Sequence, residues 1–187
     1  GSIDRVPKEG GASERLASAL QPTSLAIRGT DLFWSDRAVV VTDGTIHRSA
    51  LDGSAASVLV TSLTQPASLA IDGDHLYFRS NGSGCAFGGN RSPECFDMGI
   101  QRVPIDGGAV EPISTNLAGG DFVITGDGLY FLATSPPRIV LASPDGSERE
   151  VTGNLVLQGG ITNDGSLRTD GAALYWADGD KVLRMPF

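Results

Sequence analysis

The sequence predicts an all-β protein: a β-propeller of about four four-stranded blades, or a fragment or half of a larger ring. Two observations carry that expectation. Two short phrases recur four or five times in one order, about 45 residues apart, which is the signature of a repeat architecture. Between them fall Gly-centred turn pairs, while helical periodicity is scarce.

The first phrase is an apolar residue, a variable residue and Arg, leading to a Gly turn. It reads Ile3-Asp4-Arg5-Val6-Pro7, Ile46-His47-Arg48, Ile100-Gln101-Arg102-Val103-Pro104 and Val182-Leu183-Arg184-Met185-Pro186, with a copy lacking the Arg at Ile139-Val140-Leu141. The second is a hairpin ending in aromatics: Leu32-Phe33-Trp34, Leu76-Tyr77-Phe78, Leu129-Tyr130-Phe131 and Leu174-Tyr175-Trp176. Each repeat holds about four strands. In the second repeat these are Pro66 to Ile71, His75 to Arg79, Ile100 to Ile105 and Ala109 to Thr115, joined in part by the turns Asp72-Gly73-Asp74 and Asp106-Gly107-Gly108. Ser13 to Leu20 has some helical character, but its place in the repeat predicts a strand. Such sheets bury both faces only by stacking on neighbours, and the bulky aromatic phrase supplies the packing between blades. The repeats run roughly 3–45, 46–99, 100–138 and 139–181, with a final strand at 182–187, in one domain over 3–187. Gly1-Ser2 reads as a cloning scar.

The strand of the Arg phrase occurs once more than its partners, so both ends of the chain carry the same type. Three arrangements follow: a fragment of a longer propeller, a four-bladed ring in which Ser13 to Ala17 lies beside Val182 and Ile3 to Pro7 is spare, or half a ring closed by a second copy. An unclosed array exposes strand edges, which makes a homodimer through open blade edges an expectation.

Composition bounds the function. The 187 residues carry a net charge of −8, which argues against nucleic acid, whose phosphates need a basic face. Sixteen of the acids are Asp and nine of those precede Gly, so the acidity chiefly reports turns and not an acidic binding surface. No apolar run reaches the roughly 18 residues of a membrane helix, and no signal-peptide pattern is present.

Tyr175-Trp176-Ala177-Asp178, and more loosely Phe33-Trp34-Ser35-Asp36, resemble the Tyr-Trp-Thr-Asp signature of low-density-lipoprotein-receptor-type propellers. Pro22-x-x-Leu25-Ala26-Ile27, Pro66-x-x-Leu69-Ala70-Ile71-Asp72, Leu51-Asp52-Gly53 and Ile105-Asp106-Gly107 resemble the phrases around that signature. The resemblance implies extracellular ligand-binding or scaffold modules. Tyr77-Phe78-Arg79-Ser80 and Tyr130-Phe131-Leu132-Ala133 keep the aromatics and lose the Asp. If that Asp ties neighbouring blades, two blades here lack the tie.

The insertion from Asn81 to Gly99 joins the second and third strands of one blade. Long loops on a rigid scaffold tend to carry recognition, and the candidate recognition residues are Asn81, Phe87, Asn90, Arg91, Glu94 and Phe96. It also holds both cysteines, Cys85 and Cys95, expected to form a disulfide that pins the loop in an oxidising compartment: extracellular, periplasmic or cell-surface. Asn81-Gly82-Ser83 and Asn90-Arg91-Ser92 have the glycosylation form. His47 and His75 are expected on exposed strand faces. The repeated Arg is expected to pack on an aromatic or satisfy a neighbouring carbonyl. No catalytic constellation can be assembled, no metal site or cofactor is called for, and a non-enzymatic role is favoured. The functional expectation is a binding module for a protein or glycan. A structural unit of a larger chain, and a propeller lyase or hydrolase with a channel metal near Asp121 and Asp170, are the alternatives.

Overall fold

The computed structural model describes residues 1–37, 43–81, 98–114, 118–134, 137–143, 146–152, 167–178 and 181–187. Two compact units are present, Gly1–Glu111 and Pro112–Phe187. In the first, β1 (Ser2–Arg5) and β2 (Glu14–Ser18) form an antiparallel pair. There follow β3 (Pro22–Arg28), β4 (Asp31–Asp36), β5 (Gly44–Ala50) and β6 (Ser57–Leu63), a sheet in that order. Next come β7 (Ala67–Asp72), β8 (His75–Asn81), β9 (Met98–Pro104) and β10 (Glu111–Ser114), again consecutive, with β10 at the unit boundary. The second unit holds the sheet of β11 (Ala118–Thr125), β12 (Gly128–Thr134), β13 (Pro137–Ala142) and β14 (Glu148–Thr152). It also holds the three-stranded sheet of β15 (Leu167–Thr169), β16 (Ala173–Asp178) and β17 (Lys181–Pro186). These sheets are propeller blades, as the repeats predict.

The strand at 14–18 pairs with β1, placing Ile3 opposite Ala17 and Arg5 opposite Glu14. A short hairpin closes at far smaller entropic cost than a pairing between chain ends. The Gly10 amide donates to the Pro7 carbonyl inside the connection, and Arg5 bridges Glu14 at 2.8 Å. β17 is an edge strand of its sheet, and Val182 is 78% exposed.

The second strand of each blade is the core. Alternation along β4 sends Leu32 and Trp34 to one face, where they pack with Ile3 and Ala19, and Phe33 to the other, where it packs with Leu76, Phe78 and Val103. Both faces are therefore buried, and Phe33 and Phe78 are fully so. In the second unit Tyr130 and Leu132 pack against Leu167, Leu174 and Trp176 in the same way. Each such aromatic contributes roughly 1.5–3 kcal/mol by leaving water.

Two copies of the repeated Arg, Arg5 and Arg48, tie stacked sheets. Register sets Arg48 opposite Phe33, Arg102 opposite Tyr77 and Arg184 opposite Tyr175. The copy without Arg sets Leu141 opposite Tyr130. The Arg48 guanidinium lies over the Phe33 ring at 5.7 Å and pairs with Asp31 at 2.9 Å and Asp106 at 2.8 Å. It also donates to the Ile105 carbonyl at 3.2 Å. Arg5 makes the corresponding bond one repeat earlier, to the Leu51 carbonyl at 3.0 Å. Both acceptors immediately precede an Asp-Gly turn, so in these two copies the Arg holds the turn of the next sheet, whereas Arg102 bonds Glu111 and Arg184 the Tyr175 hydroxyl within their own sheets. The turn needs its glycine: Gly53 has φ +81°, and a Cβ there would meet the Leu16 carbonyl oxygen at 2.4 Å.

Phe33→Ala is expected to cost about 3–5 kcal/mol in urea unfolding, since it opens a cavity between two sheets. Arg48→Lys should cost about 1–2 kcal/mol, because an ammonium cannot serve Asp31, Asp106 and a carbonyl in one plane. A lysine variant as stable as the native chain would show that the tie contributes nothing.

Candidate functional site

The insertion joins β8 to β9. β8 and β9 stay paired to their ends, with Ser80 opposite Gly99 and Asn81 opposite Met98. Below that edge Phe78 and Ile100 are fully buried. Phe87, Asn90, Arg91, Glu94 and Phe96 lie outside the described residues, as do Cys85 and Cys95 and hence their expected disulfide. Of Asn81 only the backbone is described.

At the matching end of the preceding blade stands Asp36, 6% exposed. Its carboxylate accepts the amide of Leu20 at 2.7 Å and that of Gln21, both in the link from β2 to β3. It therefore clamps the segment that carries the chain from one blade into the next. Charge-assisted bonds of this kind are among the stronger ones available to the backbone. The same link recurs as Thr64-Gln65-Pro66 after Leu20-Gln21-Pro22, but the residue facing it is Ser80. Ser80 donates one bond, to the Thr64 carbonyl at 3.0 Å. Where the carboxylate is missing there is a cavity of about 300 Å³, lined in part by Thr64, Ser80 and Gln101. Thr64 is fully buried, and among the described residues its Oγ1 and the Oε1 of Gln101 have no hydrogen-bond partner. Ser62 and Gln65, with φ of 60° and 47°, bracket the turn in the left-handed region, which is sparse for side chains other than glycine.

His47 corrects an expectation. It is not on an open strand face: its ring stacks on Trp34 with centroids 4.9 Å apart and planes 6° from parallel. Its Nε2 lies 2.7 Å from the Thr45 hydroxyl. The variable residue of the Arg phrase points at the neighbouring blade, which is also where Gln101 meets the cavity. Burial pushes the His47 pKa below its ordinary 6.5, against the opposing pull of Asp36.

The carboxylates suggested for a channel metal have protein partners. Asp121 on β11 bridges Arg168 on β15 at 2.6 Å. Asp170 sits in the β15–β16 turn, accepts the amides of Ala172 and Ala173 at 2.9 Å, and receives the Tyr175 hydroxyl at 2.7 Å. The tyrosine bond, then the Ala172 amide, hold its pKa below the usual carboxylate range. Among the described residues no group of three or more His, Cys, Asp or Glu could hold a metal ion.

No family model matches the sequence, and no curated protein is similar to it at the sequence level. Solved structures do match by fold. A chain of a nidogen–laminin complex superposes with TM-score 0.69 at 17% identity, over 99% of this chain and 67% of that one. A puromycin-hydrolysing peptidase of Mycobacterium tuberculosis gives 0.68 at 17% identity, over 96% of this chain and 30% of that one. A gluconolactonase of Xanthomonas campestris gives 0.63 at 20% identity, over 93% and 62%. The chain thus spans about two thirds or less of the length of each, and what is shared is the β-propeller fold.

Asp36→Ala is expected to cost about 2–4 kcal/mol in chemical denaturation, since two amides lose a charged acceptor. His47 gives a pH signature. Its folded pKa is below its unfolded one, so the unfolded chain binds the extra proton, and stability falls as pH drops below about 6.5. His47→Gln should flatten that part of the curve of unfolding free energy against pH, and an unchanged curve would assign the dependence elsewhere.

Proposed function

We propose that this chain is a propeller binding module of the Tyr-Trp-Thr-Asp kind, taking a protein or glycan partner in an extracellular or periplasmic compartment. Residues 81–99 form its recognition element, pinned by a Cys85–Cys95 disulfide. The observation that supports this most directly is the base of the insertion: two strands paired to their last residues, over a buried Phe78 and Ile100, present one long loop without yielding. The superposition on a chain of a nidogen–laminin complex is in keeping with a protein-binding role. A metal-dependent lyase or hydrolase is disfavoured by Asp121 and Asp170, both engaged by neighbouring side chains.

Replacing residues 82–97 by a short glycine-containing turn should leave the unfolding midpoint within a few degrees of the native value. It should also abolish binding to an array of glycans and extracellular-matrix proteins. A chain that binds the array equally well without the insertion would remove it from the site. Peptide mapping without reductant is expected to recover Cys85 and Cys95 on linked peptides, and free thiols would count against an oxidising compartment.

A further inference from the structure

Nine Asp-Gly pairs punctuate this chain, and the fold treats them unequally. An Asp followed by Gly carries a reaction of its own. The glycine amide nitrogen attacks the side-chain carboxyl carbon, a C–N bond forms, and the carboxyl hydroxyl leaves as water with the amide proton. Water then opens the succinimide ring. Where it adds at the main-chain carbonyl, the C–N bond there breaks and the chain runs on through the side-chain carbon, as isoaspartate. Glycine favours the attack because no Cβ crowds its nitrogen and its backbone turns freely. The reaction is opposed where the carboxylate is held by donors and where the amide is hydrogen-bonded or its backbone is hemmed in.

Most of the described pairs are opposed in this way. The Asp52 carboxylate accepts the Ser54 amide at 2.9 Å, and the Gly53 amide donates to the Ala50 carbonyl at 2.9 Å. Asp106 is held by Arg48 at 2.8 Å, and the Gly107 amide donates to the Pro104 carbonyl at 2.9 Å. Asp170 accepts two amides and the Tyr175 hydroxyl, and the Gly171 amide donates to the Thr169 hydroxyl at 2.9 Å. Gly44 and Gly128, which follow Asp43 and Asp127, are hemmed by backbone: a Cβ would stand 2.7 Å from the Leu63 carbonyl oxygen and 2.4 Å from that of Ala142.

Asp72-Gly73 differs in every respect. Asp72 ends β7 opposite His75, so Gly73 and Asp74 are a two-residue hairpin loop, with Gly73 at φ +53°. Residues 72–74 are exposed. Among the described residues the Asp72 carboxylate has no hydrogen-bond or ionic partner, and the Gly73 amide donates to no carbonyl. A Cβ on Gly73 would meet nothing within 4 Å, so no neighbour resists rotation of the amide toward the carboxyl.

We propose that Asp72-Gly73 is a modification site at which the folded chain converts aspartate to isoaspartate without an enzyme. The consequence reaches beyond the loop. Isoaspartate adds a methylene to the main chain and so displaces Asp74. The Asp74 carboxylate pairs with Arg28 of the preceding sheet at 2.7 Å, and its carbonyl accepts the Ile105 amide at 3.0 Å. The reaction therefore acts on a turn that joins two sheets, whatever the insertion binds.

The test is prolonged incubation of the native chain in warm, mildly acidic buffer, beside a sample kept unfolded in guanidinium. Peptide mapping with electron-transfer fragmentation then distinguishes isoaspartate from aspartate at each pair. In the native chain residue 72 should carry roughly tenfold more isoaspartate than residues 52, 106 and 170, whose partners must first be released. In guanidinium those partners are gone, and the four positions should react comparably. Asp72→Glu keeps the charge but cannot close the five-membered ring. It should abolish the modification at this position and leave the melting temperature of the fresh protein unchanged. The proposal is overturned if residue 72 reacts no faster than the other three in the native chain. It is equally overturned if the same preference persists in guanidinium, which would place its cause in the local sequence and not in the fold.

Discussion

Burial of the second strand on both faces is the constraint from which the rest of this structure follows. A lone four-stranded sheet leaves one side of Phe33 or of Leu32 and Trp34 in water. Stacking sheets removes both sides at once, and the period-two alternation of the strand hands one set of side chains to each neighbour. Everything else in the repeat serves that stack. Arg48 lies across Phe33 and reaches the Ile105 carbonyl in the next sheet, so there polar bonds and apolar packing link the same pair of sheets.

Given that frame, the ends of the blades are where variation is tolerated. Asp36 and Ser80 occupy one position in two successive repeats and do different things. The carboxylate accepts two amides and closes the joint. The Ser80 hydroxyl donates to one carbonyl, beside a hollow lined in part by Thr64, Ser80 and Gln101. Beside that joint Phe78 and Ile100 are nonetheless fully buried.

The repeats, the strands and their order were legible in the sequence because each is a local property: Leu-aromatic-aromatic alternation, Gly at turns, and β-formers between them. Even β2, with its mixed helical character, was legible from its place in the repeat. The Arg bonds were legible in kind, since a cation repeated opposite an aromatic has few other uses. His47 was misread because its slot is filled by Asp4 and Leu183 elsewhere, which suggests an open face. The slot in fact faces the neighbouring blade, and its character depends on what that blade presents. The cavity has a trace in the sequence, the recurrence of Gln-Pro at 21–22 and 65–66 with Asp facing one link and Ser the other.

The sequence by itself determined the repeat, the all-β class and the residues that fill the core, because hydrophobic alternation and turn chemistry act over a few residues. Only the tertiary structure decided that β2 pairs with β1, that Arg5 and Arg48 reach the following blade, and that Thr64, Ser80 and Gln101 converge on one hollow. Those outcomes depend on loop closure and on which side chains meet across a gap between sheets. Neither distance is written in the order of residues along the chain.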